Sequence, residues 1–300
     1  MKIKYIGIVA LVAVIGWGAV AIIKKGKDIR ACVPQNGAEY CISSNKNMVE
    51  REPGKANAYA FTIFNTKGEV VRNFTTAHEK LLHLIVVRKD LGSFQHLHPA
   101  FNKKTGEFTL ADATFKSDGE YRIFADFTPE GEGNAVIYED MPIGDESAYP
   151  AIERLTPKAK HEAEGYTVTL TTNPTEVRSG EMTTLSFEVK QGGRLITDLE
   201  PYLGAMAHAV IIRNGTLEYV HAHPHEEGTE EHAYLPFARY AHAHGLGSHQ
   251  TGTTTLGTTF PFGGDYKLFL QIQHKGTVRT FDFVVPVLQG APGDHGEEEH

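Results

Sequence analysis

Hydrophobic and polar residues alternate in short runs along most of the chain. Tyr166–Thr171, Thr184–Val189, Ala209–Ile212 and Lys267–Ile272 are rich in β-branched and aromatic residues, which suit a pleated, half-buried surface. Turn sequences separate them: Arg178-Ser-Gly, Gln191-Gly-Gly, Asn214-Gly215 and Gly263-Gly264. No long segment beyond residue 28 carries a helical period. The pattern predicts an all-β chain folded as a β-sandwich. The exception is the start, where nineteen residues from Tyr5 to Ile23 run without a charge, flanked by Lys2, Lys4, Lys24, Lys25 and Lys27. A bilayer core of ~30 Å needs about 20 helical residues. The run ends in lysines and not in a small-residue cleavage site. It is therefore read as an uncleaved N-terminal transmembrane helix, with the soluble domains outside the cytoplasm.

The chain also aligns with itself. At an offset of 125, residues 81–99 (LLHLIVVRKDLGSFQHLHP) match residues 206–224 (MAHAVIIRNGTLEYVHAHP) without a gap. His83, His96 and His98 fall on His208, His221 and His223, Arg88 on Arg213, and Phe94 on Tyr219. The match resumes at an offset of 145, where Gly119-Glu-Tyr121 resembles Gly264-Asp-Tyr266. Such self-similarity marks a duplicated structural unit. The expected organisation is an anchor over 1–27, a linker and first strand over 28–55, sandwich 1 over 56–148, a linker over 149–165, sandwich 2 over 166–290 with a His-rich insertion at 225–250, and an acidic tail at 291–300.

Composition narrows the function. The net charge of -8 argues against nucleic acid, which calls for a basic face. The two cysteines, Cys32 and Cys41, are too few for a thiolate metal site or a disulfide scaffold; in an exported chain they would close one small disulfide loop. The sixteen histidines are concentrated in the two repeats and the insertion.

Asn-Gly between apolar strands predicts a two-residue hairpin turn. With the turn at Asn214-Gly215, His208 lies opposite His221, and His223 points to the same face. Three imidazoles then converge at one strand end, close enough to share an ion. The same register in the first copy gathers His83, His96 and His98. A single His-x-His in a strand is ordinarily an exposed or hydrogen-bonded pair, but two copies with identical spacing point to metal. Imidazole suits zinc, copper, nickel and iron; because the neutral ring binds, affinity should fall as pH drops through ~6.5. Met206 is a candidate thioether ligand, although core packing is its plainer role. Asp126, aligned with Gln271, is a candidate fourth ligand, although the strand pattern turns both toward solvent. His274 is a candidate from a loop, and His225, His242 and His244 of the insertion are candidates for a metal-gathering segment.

No cysteine stands near either triad, which argues against a blue-copper centre. His78-Glu-Lys-Leu-Leu-His83 is one residue too long for a zincin motif and falls where the repeat demands a strand. Several stretches resemble a family: Leu199-Glu-Pro-Tyr-Leu-Gly-Ala-Met-Ala-His208, Tyr219-Val-His221-Ala-His223-Pro and Gly264-Asp-Tyr-Lys-Leu-Phe-Leu-Gln271. They look like secreted bacterial Ig-like modules of the YtkA-like or FixH-like kind. The resemblance implies tandem Ig-like (cupredoxin-like) β-sandwiches and copper handling, with copper the expected ion and zinc the alternative, and metal transporters or other copper-handling proteins as partners beside the membrane. The expected function is extracytoplasmic metal storage, delivery or resistance, without catalysis. The alternatives are a metal enzyme using the open position of a three-histidine site and a structural or adhesive surface protein.

Overall fold

A computed structural model describes residues 39–44, 52–222 and 252–290. The expected anchor, the His-rich insertion and the acidic tail lie outside these residues. Among the described residues no helix is long and apolar enough to cross a membrane, and the chain is all-β.

The first half contributes β1 (Tyr40–Ser44), β2 (Ala56–Asn65), β3 (Phe74–Thr75), β4 (Leu82–Arg88), β5 (Phe94–Leu97), β6 (Ala100–Asn102), β7 (Glu107–Thr114), β8 (Gly119–Pro129) and β9 (Ala135–Ile143). The second contributes β10 (Lys160–Ala163), β11 (Tyr166–Asn173), β12 (Met182–Gln191), β13 (Arg194–Leu195), β14 (His208–Arg213), β15 (Tyr219–Ala222), β16 (Thr253–Thr259), β17 (Gly264–His274) and β18 (Thr277–Val287). Residues 160–163, assigned to the linker by composition, thus form a strand that pairs with β11. Cys41, in β1, is disulfide-bonded; Cys32 lies outside the described residues.

Each half is a sandwich of two antiparallel sheets. In the first, β1-β2-β7-β6 faces a sheet in which β4 and β9 flank β8 and β5 extends beyond β4. In the second, β11, β12 and β16 belong to one sheet and β15-β14-β17-β18 form the other. The order β5-β4-β8-β9 therefore recurs as β15-β14-β17-β18. Between the sheets sit separate cores, one around Phe61, Phe108, Tyr121 and Ile123, the other around Phe187, Phe260, Leu268 and Phe283. Tyr121 donates its hydroxyl to the Ser117 carbonyl at 2.9 Å, and Tyr266 donates to the Phe262 carbonyl at 2.9 Å. Both are tyrosine corners of the Ig-like kind. Burial pushes the Tyr266 phenol up to about 12, against the opposing pull of its bond with Phe262. The Gly-Glu-Tyr and Gly-Asp-Tyr motifs keep glycine because a repeat arginine lies over it. A Cβ on Gly119 would collide with the Arg88 side chain, and one on Gly264 would lie 2.9 Å from Arg213 Nε.

β4 and β14 do not alternate. Leu82–Val87 and His208–Ile212 are buried without interruption, the pattern of strands covered on both faces. One face looks into its own sandwich. The other meets the opposite half: Ile85, Val87, Leu91 and Phe124 pack with Val210, Ile212, Leu217 and Phe269 in a third apolar cluster. Phe94 stacks on Phe269 with centroids 4.3 Å apart, and Tyr219 stacks on Phe124 at 4.9 Å. These two stacks exchange equivalent residues, so the copies meet around a pseudo-two-fold axis.

The hairpins depart from the expected register. The 213–218 loop has four residues between its ends, closed by Arg213 N–H to the Glu218 carbonyl at 3.0 Å. Its Leu217, at φ 60°, is buried in the inter-sandwich cluster. Burying that leucine outweighs the preference of Asn-Gly for a two-residue turn. His221 therefore pairs with Val210, not with His208. In the first copy His96 pairs with Ile85, which brings His98 opposite His83. The displacement is two residues in both copies, so His83 and His96 stay on one face.

A charged cluster pins the start of sandwich 2 to β18. Lys158 Nζ lies 2.7 Å from Asp282 Oδ1 and Lys267 Nζ 3.1 Å from Asp282 Oδ2. Burial alone would raise the Asp282 carboxyl, but the two ammonium groups outweigh it and hold it below the ordinary carboxylate range. A depressed carboxylate stabilises the fold fully above its unfolded pKa of about 3.9 and loses that contribution as pH falls below it. Urea unfolding at stepped pH should show Asp282→Asn converging on the wild type in stability below about pH 4; a gap that stays constant down to pH 2 would rule the linkage out.

Candidate metal centre

His83 is carried by β4, His96 by β5, and His98 by the segment just past β5. Their ligand nitrogens all lie within 4.8 Å of one another, and they are the one group of three or more metal-ligating side chains of this kind among the described residues. His83 Nδ1 is 3.0 Å from His96 Nε2 and 3.2 Å from His98 Nε2. Two nitrogens on a tetrahedral ion with bonds of 2.0–2.1 Å would be roughly 3.3 Å apart.

The surroundings set the tautomers. His83 Nε2 is 3.1 Å from the Ala77 carbonyl, which can only accept, so that nitrogen carries the hydrogen. His96 Nδ1 is 2.6 Å from Gln271 Oε1, while Gln271 Nε2 turns to Thr280 Oγ1 at 3.4 Å. His96 Nδ1 therefore donates. Both rings are left with lone pairs, on His83 Nδ1 and His96 Nε2, that face each other at 3.0 Å. Two lone pairs at that distance repel unless a proton or a metal cation stands between them. Carbonyl and amide oxygens that fix the outer nitrogen of each ring are the usual second layer of a histidine metal site. The donor set fits a transition metal; imidazoles alone do not choose between zinc and copper.

A matching device lies in the second copy. His208 is buried, and its Nε2 donates to the Tyr202 carbonyl at 2.7 Å. Both carbonyls come from tight turns six residues before the histidine. Ala77 and Lys80 bond each other across His78 and Glu79, at φ 48° and 64°; Tyr202 and Ala205 bond across Leu203 and Gly204, at φ 53° and 74°. Two successive left-handed residues make the I′ type of turn. The Leu-x-Pro-Tyr-Leu-Gly stretch, without counterpart in the first copy by sequence, thus has one in backbone shape. His78 and Glu79 hold their conformation without glycine, at a cost of about 1–2 kcal/mol each.

The other candidates fall out differently. His208 lies beside the first triad, its ring 6.3 Å from that of His96. The backbone of His221 lies in β15; its side chain, and all of His223, His225, His242 and His244, are outside the described residues. Asp126 and Gln271 are not turned to solvent: they are 4% and 7% exposed, because the opposite sandwich covers that face. Asp126 pairs with His83 across the strands and Gln271 with His208. Asp126 accepts from Asn134 Nδ2 at 2.7 Å and from the Tyr219 hydroxyl at 3.1 Å. Burial, with Asp126 alongside, holds the Tyr219 phenol well above the ordinary tyrosine range. Met206 sits half-buried in the bend before β14 and belongs to none of the three apolar clusters. His274 is not a loop residue: it ends β17, is buried, and bonds the Tyr166 hydroxyl at 2.7 Å and Asp198 at 3.2 Å. His78, set aside with the overlong zincin-like motif as a strand residue, stands in the Ala77–Lys80 turn, its ring 6.0 Å from that of His83 and 5.6 Å from that of His208. Only the turn brings it there, and turn shape was not legible in Ala-His-Glu-Lys.

Fold and site define a tandem Ig-like β-sandwich protein with an imidazole cluster where its two sandwiches meet. The chain belongs to the family described as Domain of unknown function (DUF8832), which it matches over residues 38–139 and 161–289, one segment in each sandwich. No curated protein matches the sequence. Among solved structures it is similar to the Escherichia coli adhesin FdeC, at 13% identity over 85% of this chain and 66% of that one, with a TM-score of 0.24. A mutant of Salmonella alpha-2-macroglobulin is 10% identical over 85% of this chain and 15% of that one, with a TM-score of 0.26. The titin Ig tandem A164-A165 is 12% identical over 83% and 97%, with a TM-score of 0.19. The chain thus spans just under two thirds of the adhesin structure and a small part of the macroglobulin.

Proposed function

We propose that this is a transition-metal-binding protein whose centre is built on His83, His96 and His98, and that it stores, delivers or sequesters its ion outside the cytoplasm. The facing lone pairs of His83 and His96, with His98 closing the third side, carry this reading. Copper is the ion we favour, on the resemblance of the His-x-His-Pro repeats to copper-associated secreted modules; zinc is the alternative. The uncharged run at Tyr5–Ile23 supports attachment to a membrane by the N-terminus, and metal transporters or copper-handling proteins are the partners this role would call for.

The test is metal uptake by the purified chain offered Cu(I), Cu(II) and Zn(II) separately. Tight, saturable binding of one of these that depends on His83 supports the reading. A chain that takes up none of them is not a metal carrier.

A further inference from the structure

Two more imidazoles lie against the triad without belonging to it. His78 comes from the first sandwich and His208 from the second, with ring centroids 5.6 Å apart. His78 is 6.0 Å from the His83 ring, and His208 is 6.3 Å from the His96 ring. Within the triad the centroids are closer, from 4.8 to 5.2 Å. With metal–nitrogen bonds of 2.0–2.1 Å and the radius of an imidazole, two rings on one ion have centroids no more than roughly 6.4 Å apart. His78 and His208 satisfy that limit with each other, yet neither joins the set of nitrogens that converge within 4.8 Å. It is the convergence of nitrogens, and not ring spacing, that divides the five imidazoles into the triad and the remaining two. His208 carries its hydrogen on Nε2, toward Tyr202, so its lone pair is on Nδ1, as in His83.

We propose that His78 and His208 hold a second transition-metal ion beside the one held by the triad. This rests on the reading of the triad as a metal site. The centre then takes two ions, and the second has one protein ligand from each sandwich, so that it ties the two together. Two imidazoles leave further coordination positions to water or to an exchanging ligand, which suits an ion in transit more than one held for good.

Zn(II) and Cu(I), each alone, would be titrated into the purified full-length chain in competition with a chromophoric chelator. The variants are His78→Asn, His208→Ala, their double variant and His83→Ala. Asparagine tolerates the left-handed backbone at position 78, so His78→Asn keeps the turn and decides the matter even should His208→Ala fail to fold. The insertion histidines contribute equally to every variant and cancel in the differences. We expect His78→Asn and His208→Ala each to bind one ion fewer than the wild type, and the double variant also one fewer. Wild-type stoichiometry in His78→Asn overturns the second position, while loss in His83→Ala alone leaves the triad standing. A double variant that loses two ions overturns the sharing. If His83→Ala also binds as the wild type does, the triad reading fails as well.

Discussion

Replacing His83 by alanine should abolish tight binding at the triad and with it the stabilisation that the metal confers. His83 Nδ1 is the nitrogen that both His96 and His98 approach, so its removal takes away the ligand at the centre of the triad. Loss of a second-layer contact to a metal ligand already costs about 10–100-fold in affinity. Loss of the ligand itself should exceed the upper end of that range, and Gln271→Ala, which frees the His96 ring, should fall within it. An ion present at 100 times its Kd stabilises the folded chain by about 2.7 kcal/mol. For a chain of this size that raises Tm by roughly 5–10 °C. Calorimetry with and without chelator should show this rise in the wild type and lose it in His83→Ala. An equal rise in both would mean that the stabilising ion sits elsewhere.

The second large effect lies in the seam between the sandwiches. Phe269 is 5% exposed and stacks on Phe94 at 4.3 Å. Its truncation to alanine should cost about 3–5 kcal/mol, a large part of the roughly 5–15 kcal/mol that holds an ordinary domain folded. Gln271, two residues along β17, orients His96 from the opposite sandwich. Phe269→Ala should therefore weaken metal binding as well as stability. Phe283→Ala, inside the second core, should lower stability to a similar degree and leave the metal affinity nearly intact. Denaturant unfolding paired with metal titration separates the two. Equal metal affinity in Phe269→Ala and wild type would show that the seam does not shape the centre.

Much of this was legible in the sequence. The offset repeat gave two copies of one sandwich, and the period of two puts His83, His96 and His98 on one face for any register that differs from the expected one by an even number of residues. That parity is why a displacement of two residues in both hairpins left the triad whole. The displacement itself was not legible: Asn214-Gly215 argues for a short turn by local preference, and only the pocket that receives Leu217 across the seam overrules it. Continuous apolar runs such as Leu84–Val87 and Ala209–Ile212 belong to strands covered on both faces, but nothing in them says that each copy covers the other. The buried positions of Asp126 and Gln271, and the nearness of His208 to the first triad, follow from that mutual cover. Strand alternation within one copy could not show them.

A face shared around a two-fold axis is the geometry of an isologous dimer, here drawn inside one polypeptide. In a dimer of identical subunits every position on the axis appears twice, so a residue suited to one side is forced on the other. A covalent tether lifts that constraint and keeps the partner at an effective concentration of about millimolar or more. The chain has used the freedom where it matters. Asp126 and Gln271 occupy equivalent places, yet one is a carboxyl held by a phenol and an amide, and the other is an amide aimed at an imidazole. Fusion thus allows the two sides of one surface to specialise, a division of labour that symmetry forbids to separate chains.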